Sequence, residues 1–292
     1  MHGIILINKP SNVTSFAVID KIKKKFKLKK IGHSGTLDSF ATGLLIIGIN
    51  EGTKILQYYM ELEKEYETSF HLGITTDTYD ITGVKTNEYN GVLPELVDIE
   101  NALKDFIGNI EQIPPNYSAI KVKGRRASDW VRKGVSVDLK PRRVTIKSIE
   151  VLSYNKPLLT LRILCSKGTY IRAIARDLGE KLGCGAYVSS LKRTKIGSFT
   201  LLQALELDEI LSKKYLNEYI IPLFDSLPFF QKVILTPEEV QDIFHGKSIR
   251  KEMSAYGLNY LGVCKNKAIA ILKLENFKGK VFLKPERVFF DR

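Results

Sequence analysis

The stretch GHSGTLDSFATGLLIIG, residues 32–48, limits the fold more than any other part of the chain. Four glycines (Gly32, Gly35, Gly43 and Gly48) bracket one carboxylate, Asp38, with His33 five residues upstream of it. The segment then runs directly into the apolar stretch Leu44–Ile49. A Walker phosphate loop needs a lysine and a Ser or Thr after its last glycine, with a helix behind it. Here no lysine follows, and the next residues read as a buried strand. A dinucleotide fingerprint needs G-x-G-x-x-G opening a helix, and these glycines lack that spacing. The loop therefore presents Asp38 rather than cradling a phosphate. An isolated loop aspartate usually serves as a turn or cap residue, so its role depends on what converges on it.

The rest of the chain mixes strands and helices without a regular βαβ repeat, which points to α+β with a mixed, largely antiparallel sheet flanked by helices. GIILINKP reads as a buried strand ending at Pro10. Ser15 is expected to cap a helix over FAVIDKIKKKFK, with Phe16, Ile19, Ile22 and Phe26 on its apolar face. KEYETSFHLGITT alternates, so Tyr66, Thr68, Phe70 and Leu72 share one face of a strand. Residues 94–108 read as an amphipathic helix, VTIKSIEVLSY and LLTLRILCS as two strands, and TYIRAIARDLGEKLG as a helix stopping at Gly183. A second unit begins near residue 230. Thr236 caps a short helix with Pro237 at its first position, and short strands follow with turns at Lys265–Lys267 and Lys278–Gly279. The expected domains are 1–229 and 230–292.

Composition narrows the partner. The chain of 292 residues carries 45 basic and 32 acidic side chains, a net charge of +13. KIKKKFKLKK, residues 21–30, holds seven lysines and no acid, and residues 121–147 hold ten basic residues against two acidic ones. Such clustering, interleaved with apolar residues, suits folded faces that bind a polyanion, and nucleic acid is the expected partner. No apolar run approaches the ~20 residues of a membrane span. MHGIILINKP lacks the build of a signal peptide, so a cytoplasmic protein is expected. Cys165, Cys184 and Cys264 and the four histidines show no metal-ligand spacing, so neither a metal site nor a disulfide framework is expected.

KGTYIR, residues 167–172, sets Tyr170 and Arg172 two apart. If the strand ending at Cys165 continued through it, both side chains would point the same way, an arrangement suited to one carboxylate in a pocket. Tyr66 could supply a second aromatic surface.

Taken together, these stretches resemble the bacterial tRNA pseudouridine synthase B (TruB) family. The matching pieces are INKPSNVTSF (7–16), KIGHSGTLDSFATGLLIIGI (30–49), KEYETSFHLGITTDTYDITG (64–83), QIPPNYSAIKVKGRRA (112–127), KGTYIRAIARDLGEKLG (167–183) and VSSLKRTKIGSF (188–199). They occur in order over most of residues 1–200. The resemblance implies isomerisation of the T-loop uridine of tRNA, conventionally position 55, to pseudouridine. The bond at N1 is broken and remade at C5, without a cofactor or metal. It implies that Asp38 is the nucleophile and that Arg172 keeps it ionised. Tyr66 would stack on the base and be involved in removing the C5 proton. Tyr170 and Leu191 would pack around the uracil, and His33 would fill the gap left by the flipped base. Lys9 would support the Asp38 loop or touch a phosphate. It also implies a small PUA-like RNA-binding domain at residues 230–292, and a monomer acting on the tRNA T stem-loop without a protein partner. Ser128 stands where family members commonly carry Tyr, so a peripheral packing change is expected. A non-catalytic RNA chaperone would need the same basic faces but not the convergence of Asp38, Tyr66 and Arg172. A guide-RNA-dependent rRNA enzyme is the other alternative. The absence of a long basic extension at either end, together with residues 112–127, suits the stand-alone bacterial form better.

Overall fold

A computed structural model describes the chain except for Met1, Ala119, Lys123, Ser136 and residues 252–258, 278–279 and 291–292. An eleven-stranded sheet dominates it. Its main path runs Leu205–Glu206, Gly3–Lys9, Thr42–Ile49, Ala186–Ile196, Lys64–Leu72, Leu158–Cys165, Arg142–Asn155 and Gly108–Gln112. Most neighbours pair antiparallel. Thr42–Ile49 and Ala186–Ile196 pair parallel, as does the Leu205–Glu206 edge with Gly3–Lys9. The mixed, largely antiparallel sheet expected from the sequence is thus present.

The apolar strands Gly3–Lys9 and Thr42–Ile49 are buried on both faces, which is why they do not alternate with polar residues. Ile5, Ile7, Leu45 and Ile47 pack against the helix Ser15–Phe26 through Val18, Ile19 and Ile22. Ile4, Leu6, Leu44 and Ile46 share a core with Leu261, Val263, Ile271 and Phe289 of the C-terminal region. That region forms its own five-stranded sheet, beginning with Gln231–Ile234, beside the helix Pro237–Phe244. Thr236 caps this helix through a capping box, with Pro237 at its start, as expected. The reversal at Lys265–Lys267 joins two of its strands. The turn expected at Lys278–Gly279 lies outside the described residues.

Two local expectations are corrected. Thr14, not Ser15, caps the first long helix, its hydroxyl accepting from the Ala17 amide at 3.1 Å. Ser15 is instead buried against the Asp38 loop. The buried face of this helix is Ser15, Val18, Ile19 and Ile22, whereas Phe16 is 70% exposed. The shift follows from Ser15 facing inward at the first turn, which turns its neighbour Phe16 outward. Among the described residues no helix is long and apolar enough to cross a membrane, and all three cysteines are free.

Candidate active site

The Asp38 loop is anchored from four directions. The Ser15 hydroxyl accepts from the Leu37 amide at 2.9 Å and donates to the Leu37 carbonyl at 3.2 Å. Ser11 Oγ donates to the Phe40 carbonyl at 2.9 Å. Arg193 Nη2 donates to the Gly35 carbonyl at 3.2 Å. Lys9 is fully buried, and its ammonium donates to the carbonyls of Pro10, Val13 and Ser39 at 2.9, 2.6 and 3.1 Å. With three donors spent on backbone, Lys9 does the work of loop support. It does not line the cavity beside Asp38, which counts against the substrate contact also expected of it.

Arg172 approaches from the sheet's other element. It does not lie on an extension of the Leu158–Cys165 strand, contrary to one expectation. The chain turns after Cys165, Tyr170 becomes the N-cap residue, and Arg172 sits in the first turn of the helix Ile171–Lys181. The physical reason is the amphipathic pattern: Ile171, Ile174 and Leu178 bury one face against the core under the site, worth ~1.5–3 kcal/mol per large side chain. A cation at a helix N-terminus opposes the helix dipole, and this one is only 5% exposed. Two carboxylates offset that cost.

The first is Asp38. Arg172 Nη2 donates to Asp38 Oδ1 at 3.1 Å, and Nε lies 3.0 Å from Oδ2 without its N–H aligned on it. The second is Asp80, whose Oδ2 lies 3.3 Å from Nη1. Carbonyls of Thr78 and Tyr117 accept from Nη1 and Nη2 at 3.1 and 2.9 Å. Asp80 is buried and accepts at Oδ1 from Thr78 Oγ1, the Thr82 amide and Thr82 Oγ1. It went unmarked in the sequence, where it resembles any turn aspartate. Its flanking threonines at 76, 78 and 82 are the one local signal.

A cavity of about 370 Å³ opens beside this pair, lined by Asp38, Tyr66, Tyr170, Arg172, Leu191 and Arg193 among others. Tyr66 and Leu191 project from the adjacent strands Lys64–Leu72 and Ala186–Ile196. Tyr170 is fixed by Gln112, which accepts from its amide at 2.8 Å and donates to its carbonyl at 3.1 Å. A neighbouring groove of about 690 Å³ shares Asp38 and Arg172 and contains His33, Phe16, Ser128 and Arg132. His33 thus lies beside the cavity rather than in its wall. Five of the seven expected site residues meet at one cavity, His33 flanks it and Lys9 lies behind it.

Burial pushes the Asp38 carboxyl above its ordinary range. Arg172 opposes this by charge and hydrogen bonding, Asp80 adds to it, and Lys9 opposes it. Arg172 therefore limits the rise without cancelling it. The carboxylate keeps 38% side-chain exposure toward the cavity. Burial, with Arg193 nearby, lowers His33, which favours a neutral imidazole. Burial also raises the phenols of Tyr66 and Tyr170.

An aspartate held by a fixed guanidinium at the mouth of an aromatic-walled cavity can add to, or stabilise, an electrophilic carbon of a flat ring or its sugar. Residues 23–171 match the family "TruB family pseudouridylate synthase (N terminal domain)", and residues 172–227 match "tRNA pseudouridylate synthase B C-terminal domain". The chain is 41% identical to a tRNA pseudouridine synthase B of Clostridium kluyveri over 86% of each chain. It is 37% identical to one of Dehalococcoides mccartyi over 98% of each. Among solved structures it is similar to one described as a Cbf5-Nop10-Gar1 complex, with 26% identity, TM-score 0.76, and coverage of 99% of this chain and 85% of that one. An H/ACA RNP bound to a substrate RNA shares the fold at TM-score 0.75, covering 99% and 86%.

Proposed function

Because the chain belongs to the TruB family of pseudouridylate synthases, isomerases that convert a tRNA uridine to pseudouridine, we propose that it acts on the T-loop uridine with Asp38 as the nucleophile. The observation that carries this reading is the Arg172–Asp38 contact beside the cavity. The everted pyrimidine lies between Tyr66 and Leu191 with Tyr170 beside it. Asp38 acts on the sugar or the base as the N1–C1′ bond breaks. The freed uracil turns, C5 bonds to C1′ as the bond to Asp38 breaks and returns its electron pair to the carboxylate, the C5 proton leaves to Tyr66, and N1 takes up a proton. Atoms and electrons balance within the substrate. His33, as a neutral imidazole, takes the place of the flipped base in the RNA stack.

Residues 1–229 form the catalytic unit in this reading, and residues 230–292 a PUA-like RNA-binding unit. The enzyme works as a monomer on free tRNA in the cytoplasm, without a protein partner.

The test is incubation of the pure protein with an unmodified tRNA transcript, with pseudouridine mapped by chemical labelling and primer extension. The wild type should mark the T-loop uridine, and Asp38→Asn should bind tRNA yet leave it unmarked. Pseudouridine formed by Asp38→Asn would remove the nucleophile assignment. A wild type that binds and refolds tRNA without marking it would favour the chaperone reading.

A further inference from the structure

Arg193 heads the largest fully buried side chains of the protein, at 2% exposure. Its Nε donates to the Leu44 carbonyl at 2.8 Å and its Nη2 to the Gly35 carbonyl. Among the described residues no carboxylate pairs with it. Its charged surroundings make this costlier still, since the buried Lys9 and Lys64 both feel its charge. A buried cation without a counterion is expensive. Backbone bracing alone could be done by a neutral donor, so the charge itself calls for an explanation.

The fold sets this guanidinium beside one particular group. Arg193 stands directly opposite Tyr66 in the antiparallel ladder between Ala186–Ile196 and Lys64–Leu72, which puts the two side chains on one face. Both line the cavity that holds Asp38. On its other side Arg193 pairs with Gly43, where an added Cβ would come 2.3 Å from the Arg193 carbonyl oxygen. Gly43 also has φ +108°, so a side chain there is excluded twice. This close approach fixes the Arg193 backbone, and the bonds to the Leu44 and Gly35 carbonyls fix the guanidinium.

We propose that Arg193 is a positioning residue for the isomerisation: its charge holds the Tyr66 phenol and stabilises it as the phenolate that takes the C5 proton. The inference rests on the reading of Tyr66 as that base. In the step, the C5–H bond of the re-attached base breaks and its proton passes to Tyr66 Oη. The electron pair forms the C5–C6 double bond, the C6–N1 π pair moves to N1, and N1 takes a proton from water, whose hydroxide takes back the proton from Tyr66. Arg193 is unchanged throughout. Burial raises the phenol, and Cys165 and Asp38, facing it from the neighbouring strand and the loop, raise it further. Arg193 opposes all three by its charge. Arg193 is the strongest influence on the phenol that favours the deprotonated form.

Phenolate absorbance titration, taken as the difference between each protein and its Tyr66→Phe counterpart, isolates this one tyrosine without RNA. Tyr66 should titrate at higher pH in Arg193→Gln and move back toward wild type in Arg193→Lys. With a T-arm substrate, Arg193→Gln should lose about 100-fold or more in kcat with KM within about threefold. A substrate deuterated at C5 should slow Arg193→Gln further, with a smaller isotope effect in Arg193→Lys. An unmoved Tyr66 titration in Arg193→Gln overturns the proposal. So does a folded, tRNA-binding Arg193→Lys that loses the rate as fully as Arg193→Gln without an isotope effect. If Arg193→Gln does not fold, Arg193→Lys decides: near-wild-type rate and titration support the proposal. If Tyr66→Phe still makes pseudouridine at the wild-type rate, the base assignment fails, whatever the titration shows.

Discussion

Asp80 lies 3.3 Å from Nη1 of Arg172, while Asp38 meets the same guanidinium through Nη2 and Nε. One buried cation is thus shared by a carboxylate locked among hydroxyls and a carboxylate facing a cavity. The locked one sets the guanidinium's orientation, and the guanidinium sets that of the other.

Asp80→Asn keeps the shape and most of the hydrogen bonding to Thr78 and Thr82 but removes the charge facing Nη1. Arg172 is then drawn further onto Asp38 or turns away from its fixed pose. A small misplacement of a reacting group costs about 100-fold. We expect kcat to fall by roughly 10–100-fold with tRNA affinity nearly unchanged. Single-turnover kinetics and filter binding check this, and parallel losses in both would show that Asp80 only holds the fold.

The Asp38 carboxyl is raised, so the pH–rate profile should have an acid limb above the usual carboxylate range. Activity should be lost as pH falls through that limb. Asp80 contributes to the rise by its charge, so the limb should move to lower pH in Asp80→Asn. A limb that stays in place in the variant would assign it to another group.

Lys64 is buried, and burial lowers it to about 8. Its ammonium donates to the carbonyls of Tyr59, Met60 and Leu62. The unfolded chain keeps its proton up to about 10.5. Between these values the unfolded state binds more protons, so unfolding free energy rises with pH. The group's share is on the order of 3 kcal/mol across the window. Urea unfolding between pH 7.5 and 10 should show a shallower rise in Lys64→Met than in wild type. Equal slopes would place the titration elsewhere.

Lys21, Lys23, Lys25 and Lys27 are exposed on and just beyond the Ser15–Phe26 helix. Reversing two of these charges should weaken tRNA binding and reduce the slope of log affinity against log salt by about 2. An unchanged slope would put the RNA on another face.

Removing residues 230–292 strips Leu261, Val263, Ile271 and Phe289 from a core that they share with Tyr59, Leu223 and Leu227. It also removes the bond from Tyr58 to Glu286, at 2.8 Å, and that from Lys54 to the Val288 carbonyl, at 2.7 Å. The truncated chain should melt well below the full chain, by ten degrees or more on the scale of several kcal/mol. Its loss of activity should follow from unfolding. An unshifted melting temperature would make the segment a detachable RNA-binding unit.

Much of the site was legible because its parts sit in short, ordered motifs. Asp38, Tyr66, Tyr170, Arg172 and Leu191 each lie in a stretch that matches a family piece, and all five meet at the cavity. Local patterns failed where two residues compete for one role. Thr14 and Ser15 are both good N-caps, and only contact with Leu37 turns Ser15 inward. KGTYIR could extend a strand or open a helix, and the buried face of Ile171, Ile174 and Leu178 favours the helix. Arg193 carried no local signal and Asp80 only its flanking threonines, because their partners are 127 and 92 residues away, Tyr66 and Arg172 respectively.

The order of polar and apolar residues determined by itself that this chain would build an α+β sheet protein with a glycine loop displaying one aspartate. It also determined that the chain would carry basic faces for a polyanion. Periodicity and charge clustering act over a few residues, so they are readable in one dimension. Which cations are buried without a counterion, which carboxylate steadies Arg172, and which phenol faces Arg193 were decided only by strand pairing and loop bracing. Those are consequences of long-range packing, where burial sets the cost of each charge and therefore its partner.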